Sequence, residues 1–169
     1  MPAFTARTGI LIPHTVTDLT EFSANYERQL VWVEQDPAGA AAQYRSRTIR
    51  NPFGGDGVVC LKYRGEELLG PKYWDDVDGI WNALVEMTAG YLSSGSGQGL
   101  LDGQPVNLIL QRAGRSAIFG VAEKRFWIDP ADFIAPLLDA AQAHFTWHRD
   151  QVGRGENGML QRISRLREA

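Results

Sequence analysis

From Leu19 onward the apolar residues Leu19, Phe22, Tyr26, Leu30 and Val33 recur three or four positions apart, the spacing of one face of an amphipathic helix ending near Gln35. Thr15, with Asp18 three residues later, reads as its N-cap. Ahead of it, residues 4–12 are small and apolar and read as a strand stopped by Pro13. Asp36-Pro37 opens a shorter helix over residues 38–44. A turn-rich connection from Asn51-Pro52 through Gly54-Gly55-Asp56-Gly57 follows.

The period then changes. Val58 to Tyr63 reads as a strand, Arg64-Gly65 as its turn, and residues 66–69 as a return strand. Asp75 or Asp76 caps a long helix whose apolar positions are Val77, Ile80/Trp81, Leu84, Met87 and Tyr91. Residues 93–99, Ser-Ser-Gly-Ser-Gly-Gln-Gly, read as a flexible linker by composition. Val106, Leu108 and Leu110 alternate with polar neighbours, residues 117–121 read as the antiparallel partner, and residues 125–128 as a third strand. Asp129-Pro130, with Asp132 at the third helical position, opens the last long helix, whose stripe runs Ile134, Leu138, Ala141, Phe145. Strands adjacent in sequence and joined by tight turns favour antiparallel pairing. The expected fold class is therefore α+β, with a single mostly antiparallel sheet and helices packed mainly on one face. Residues 1–152 form the expected domain. Residues 153–169 form a tail with a short amphipathic helix carrying Met159, Ile163 and Leu166 on one side.

Composition narrows the function classes. At 169 residues with 44% hydrophobic positions the chain can build one full core. A net charge of −3 argues against a nucleic-acid surface. The one cysteine, Cys60, excludes an internal disulfide and a cysteine-based zinc site. No apolar run approaches the length of a membrane span, and the N-terminus lacks the charged-then-apolar order of a signal peptide, so a cytoplasmic location with no membrane partner is expected.

Candidate chemistry is sparse. His144 and His148 lie four apart on a helix, a spacing that places both imidazoles on one side and can chelate a metal. The glutamate of a metalloprotease helix is missing, since Phe145 follows His144, and a structural role in an aromatic cluster with Trp147 is the better account. Cys60 sits in an apolar strand with no base nearby and reads as a small buried hydrophobe. The glycines of 93–99 follow a helix, whereas a phosphate-cradling loop follows a strand and opens a helix. No catalytic residues and no cofactor are expected. More informative is the acidic and aromatic stretch Glu66, Glu67, Tyr73, Trp74, Asp75, Asp76 and Asp78, within a window (51–100) of net charge −4. Helix capping accounts for three of its carboxylates. The alternative is a patch that docks a cationic partner, with Glu66 and Glu67 as steering charges.

The run from Leu61 to Pro71 (LKYRGEELLGP), the segment Tyr73 to Asp78 with Trp81, and Gln104-Pro105-Val106-Asn107-Leu108 together resemble small bacterial α+β proteins of the polymorphic-toxin immunity type. That resemblance implies a non-enzymatic protein that binds and blocks a cognate toxin, here a basic toxin domain. It carries no functional residue with it. Two other readings stay open: a small enzyme with a site assembled from scattered residues around His144 and His148, and a self-assembling subunit whose tail helix makes a homo-oligomer contact.

Overall fold

A computed structural model describes residues 1–52, 54–153 and 157–169. The chain is α+β, and among the described residues every strand pair is antiparallel. Two sheets are present instead of the single sheet expected. The first contains β1 (Phe4–Leu11), β2 (Leu30–Trp32), β3 (Asp56–Tyr63), β4 (Glu66–Leu69) and the short β5 (Asp75–Asp76), in the order β2-β1-β3-β4 with β5 also on β3. The second is the meander β6 (Ser96–Leu100), β7 (Asn107–Ala113), β8 (Ser116–Val121) and β9 (Lys124–Ile128).

The helices are α1 (Leu19–Asn25), α2 (Pro37–Arg50), α3 (Val77–Ser94), α4 (Pro130–Trp147) and α5 (Asn157–Arg167). A π-helical turn, His148–Val152, extends α4. The three longest helices are N-capped by aspartates with proline or an acid close behind. Asp36 accepts from the Gly39 N–H at 2.9 Å, Asp76 from Gly79 at 3.2 Å and Asp129 from Ala131 at 3.0 Å, each satisfying a donor that the helix itself leaves free.

Other expectations about single elements also fail, for identifiable reasons. The helix predicted from Leu19 to Gln35 stops at Asn25, passes through a 3₁₀ turn (Tyr26–Gln29) and becomes β2. Leu30 pairs with Leu11 and Trp32 with Gly9, so the apolar spacing that looks helical is shared between α1 and a β1 partner. The cap is Asp18, not Thr15, and it accepts from the Glu21 N–H at 3.0 Å.

The linker read over 93–99 is in large part β6. Its glycines serve close packing: a Cβ on Gly97 would lie 1.7 Å from the Met87 carbonyl oxygen, and one on Gly99 2.1 Å from that of Ala83. The backbone of α3 therefore rests directly on β6, which only glycine permits. Because β6 turns back along α3 and bonds to β7, it begins a new sheet instead of widening the first.

Helix α3 packs against both sheets and is buried along Val77, Ile80, Trp81, Leu84, Met87 and Tyr91. One face of the first sheet (Ile10, Val59, Leu61) joins this main core. Its other face (Leu11, Val58, Cys60) joins a smaller cluster with Phe22 of α1, so helices lie on both faces of that sheet. Helix α5, expected as a tail, buries Ile163 completely, with Met159 and Leu166 packed beside it. Arg162 pairs with Glu86 of α3, and Arg167 with Asp139 of α4 at 2.7 Å. The apolar side proposed for a homo-oligomer contact is thus occupied within the chain.

Gly97→Ala or Gly99→Ala is expected to lower stability by about 1–3 kcal/mol, the usual cost of overpacking. Gly158→Ala in α5, where a Cβ meets nothing within 4 Å, is expected to be neutral or stabilising. Urea unfolding of the three variants checks the contrast.

Candidate functional site

The acidic residues at the start of α3 do not share one destination. Asp78, at the second helical position, turns inward between α2 and α4. Its Oδ1 lies 2.7 Å from His144 Nε2 and its Oδ2 3.0 Å from His148 Nε2, while the Tyr44 hydroxyl donates to Oδ2 at 2.6 Å. Both imidazoles are almost fully buried, and the Asp78 side chain retains 19% exposure. Trp81 stacks on His144 at 5.9 Å, and Tyr44 and Trp147 meet His148 edge-on at 5.3 and 6.2 Å. The histidine spacing that could have chelated a metal therefore grips a carboxylate. No metal-binding group of three ligands occurs among the described residues. Both Nδ1 atoms are buried without a partner.

Burial works to raise the Asp78 carboxyl, but hydrogen bonds from His144 and His148 overcome it and hold the group well below the usual carboxylate range. The neighbouring cap shows the opposite. Burial, followed by the charge of Asp78, pushes Asp76 up to about 7, against the opposing Gly79 N–H. Asp75 is buried at 6% exposure and accepts from the Gly103 N–H at 2.8 Å and the Asp76 N–H at 2.7 Å. Burial again raises it.

The seven residues expected to form a partner-binding patch are thereby divided. Tyr73 is buried at 8% exposure, Trp74 is half-buried, and the carboxylates of Asp75, Asp76 and Asp78 have internal partners. Glu66 and Glu67 are exposed on β4. What the sequence displays as one acidic stretch is a surface edge plus a set of caps and a buried hub, so it forms no continuous outer surface. Cys60 is buried, and burial, then the charge of Glu67, pushes its thiol up to about 12, which leaves no thiolate for chemistry.

A second polar centre is built around Arg47 near the end of α2. Its guanidinium donates to the carbonyls of Leu11, Pro13, His14 and Gly54 and pairs with Asp56 at 3.3 Å. These bonds tie the β1 exit to the β3 entry and form the floor of a polar cleft of about 450 Å³ lined also by Gln43, Ser46 and Arg50. With its donors consumed by backbone, Arg47 is a fastener.

Among the described residues the most exposed large apolar side chains away from the chain start are Ile49, at 84%, and two on the second sheet, Trp127 at 69% and Leu100 at 66%. The meander directs Leu108, Leu110, Ala117, Phe119 and Val121 into the core. Register fixes what faces out. Trp127 stands opposite Ile118, Ile118 opposite Gln111, Ile109 opposite Gly120, Gly120 opposite Arg125, and Leu100 opposite Asn107. Trp127, Ile118, Ile109 and Leu100 thus form a diagonal apolar stripe across four strands, flanked by Gln98, Asn107, Gln111 and Arg125. Gln98, Asn107, Gln111 and Arg125 are exposed, while Ile109 and Ile118 are half-buried. The alternation along β7 is visible in the sequence, whereas the apolar outward row comes from three different strands, with Ile109 on β7, Ile118 on β8 and Trp127 on β9. Comparison with protein-family models, curated proteins and solved structures finds no match.

The two aspartates give stability a pH dependence of defined sign. Asp76 keeps its proton to about pH 7 when folded and loses it near 4 when unfolded, so the folded chain binds more protons between these values and stability falls as pH rises through that window. Asp78 stays ionised below the value of an unfolded aspartate, so its contribution is full above about pH 4 and is lost as pH falls further. Asp76→Asn keeps a capping oxygen and is expected to raise the urea midpoint above pH 7 and flatten the decline between pH 4 and 7. Asp78→Ala removes the buried acceptor shared by His144, His148 and Tyr44, and is expected to cost about 3–5 kcal/mol at neutral pH.

Proposed function

We propose that the chain is a non-enzymatic protein-binding domain that acts by occupying a partner, in the manner of the immunity proteins its sequence resembles. Its docking surface on this reading is the outward face of β6–β9. The observation that carries it is Trp127, 69% exposed at the end of a four-strand apolar stripe. An exposed tryptophan beside an arginine and branched aliphatics has the composition of an interface hot spot. The toxin-blocking role rests on the resemblance alone.

An enzymatic reading would use Asp78 and His144 as an orienting pair beside the apolar cavity of about 270 Å³ lined by Thr8, Glu34, Trp81 and His144. The free nitrogen, His144 Nδ1, is closed off from solvent, so the atom that would act as base has no access to a substrate. The cluster is better accounted for as a structural hub, and protein binding is the reading that remains.

The partner recovered from the chain's own cells is expected to bind the double variant Leu100→Ser/Trp127→Ser at least about 30-fold more weakly, as loss of a hot spot implies. It is expected to bind Glu66→Lys/Glu67→Lys with little change. Calorimetry on the purified pair measures both, with circular dichroism to show that each variant is folded. Unchanged affinity in the Leu100/Trp127 variant would remove this face from the function.

A further inference from the structure

Charge is unevenly divided in this chain. Residues 104–128, which contain β7, β8 and β9, carry four cations (Arg112, Arg115, Lys124, Arg125) and one acid, Glu123, a net of +3 in a chain of net −3. All five side chains are exposed. Among the described residues no carboxylate pairs with any of the four cations. Arg112 lies over the Tyr91 ring, and Arg125 donates to the carbonyls of Ala122 and Lys124. By contrast, Arg7, Arg47, Arg64, Arg149, Arg162 and Arg167 each have an acidic partner. Register places Arg112 opposite the inward-facing Ala117 and Lys124 opposite the inward-facing Val121, so both lie on the α3 side of the sheet, while Arg115 at one hairpin turn and Arg125 beside the other bound the apolar stripe.

Building on the protein-binding reading, we infer that the partner of the β6–β9 face is an acidic protein surface, with an apolar centre that meets Trp127, Ile118 and Ile109 and a carboxylate rim that meets the two turns. Four strands about 4.8 Å apart and five residues long cover only about 300 Å². A stable interface needs about 800 Å² from each partner. The contact must therefore spread past the stripe onto its rim, and the rim is cationic. A second copy of the chain would bring a like-charged face against this one, which disfavours self-association there. A nucleic-acid strand is also a poor match. Stacking readers present several aromatic faces, whereas this sheet exposes Trp127 among aliphatic side chains, and the remaining surface of the chain is acidic.

Photo-crosslinking by benzoylphenylalanine placed at Gln111, in the middle of the face, and separately at Glu66 on β4 tests the inference in the chain's own cells. The expected result is a protein adduct from Gln111 whose partner carries net negative charge. For that purified pair, Arg115→Gln/Arg125→Gln is expected to slow association about tenfold at low salt and to weaken its salt dependence. A basic protein or a nucleic acid joined at Gln111, or unaltered association by the charge variant, overturns the acidic-partner inference. An adduct from Glu66 alone overturns the choice of face while leaving protein binding in place. No protein adduct from either position overturns the protein-binding reading itself.

Discussion

A single carboxylate, that of Asp78, joins three helices and the turn that ends one of them. Taking an ionised group out of water costs several kcal/mol unless donors replace the lost hydration. Here three do so, from Tyr44 of α2, His144 of α4 and His148 of the π turn. The position near the start of α3 adds the favourable end of the helix dipole. The register of α2 and α4 against α3 is therefore specified by polar geometry as well as by the fit of apolar side chains. Movement of either helix would leave a charge unpaired, whereas apolar surfaces alone tolerate some sliding.

That arrangement has consequences for its neighbours. Burial, and after it the charge of the ionised Asp78 two residues away, holds the Asp76 cap protonated toward neutral pH. One helix N-terminus thus contains a carboxylate stabilised by its donors and another opposed by the first. The two histidines are committed at Nε2 and buried without a partner at Nδ1. The residues with the most catalytic appearance in the sequence are spent on holding the helices together. Arg47 follows the same logic, since its guanidinium joins backbone segments.

Much of the fold is legible along the chain because caps and periodicity are local. Asp36-Pro37 and Asp129-Pro130 open helices where their chemistry requires, and the alternation over β7 marks a strand with one buried face. What escaped is what depends on distant partners. Leu30 looks helical until β1 is present to pair with it, and Gly97 and Gly99 look flexible until the backbone of α3 lies against them. The acidic stretch misled for a related reason: sequence gives the charge of Asp75, Asp76 and Asp78 but not the direction in which each points. His144 and His148 were visible as a pair, while their acid lay 66 residues away from the first of them on another helix.

The candidate docking face presents the reverse difficulty. Period two over Ile109 and Gln111, or over Ile118 and Gly120, shows that a strand has two faces and leaves open which one the core takes. Helix α3 settles that by packing on the side of Leu108, Leu110 and Phe119, after which Trp127 and Ile118 can only face away from the core. Apolar residues so placed contribute nothing to the core, so their presence calls for a reason outside the folding of this chain. The unpaired cations around them lie beyond the reach of the internal ion pairs that occupy most of the other arginines. Together these features favour contact with a complementary surface over accidental exposure.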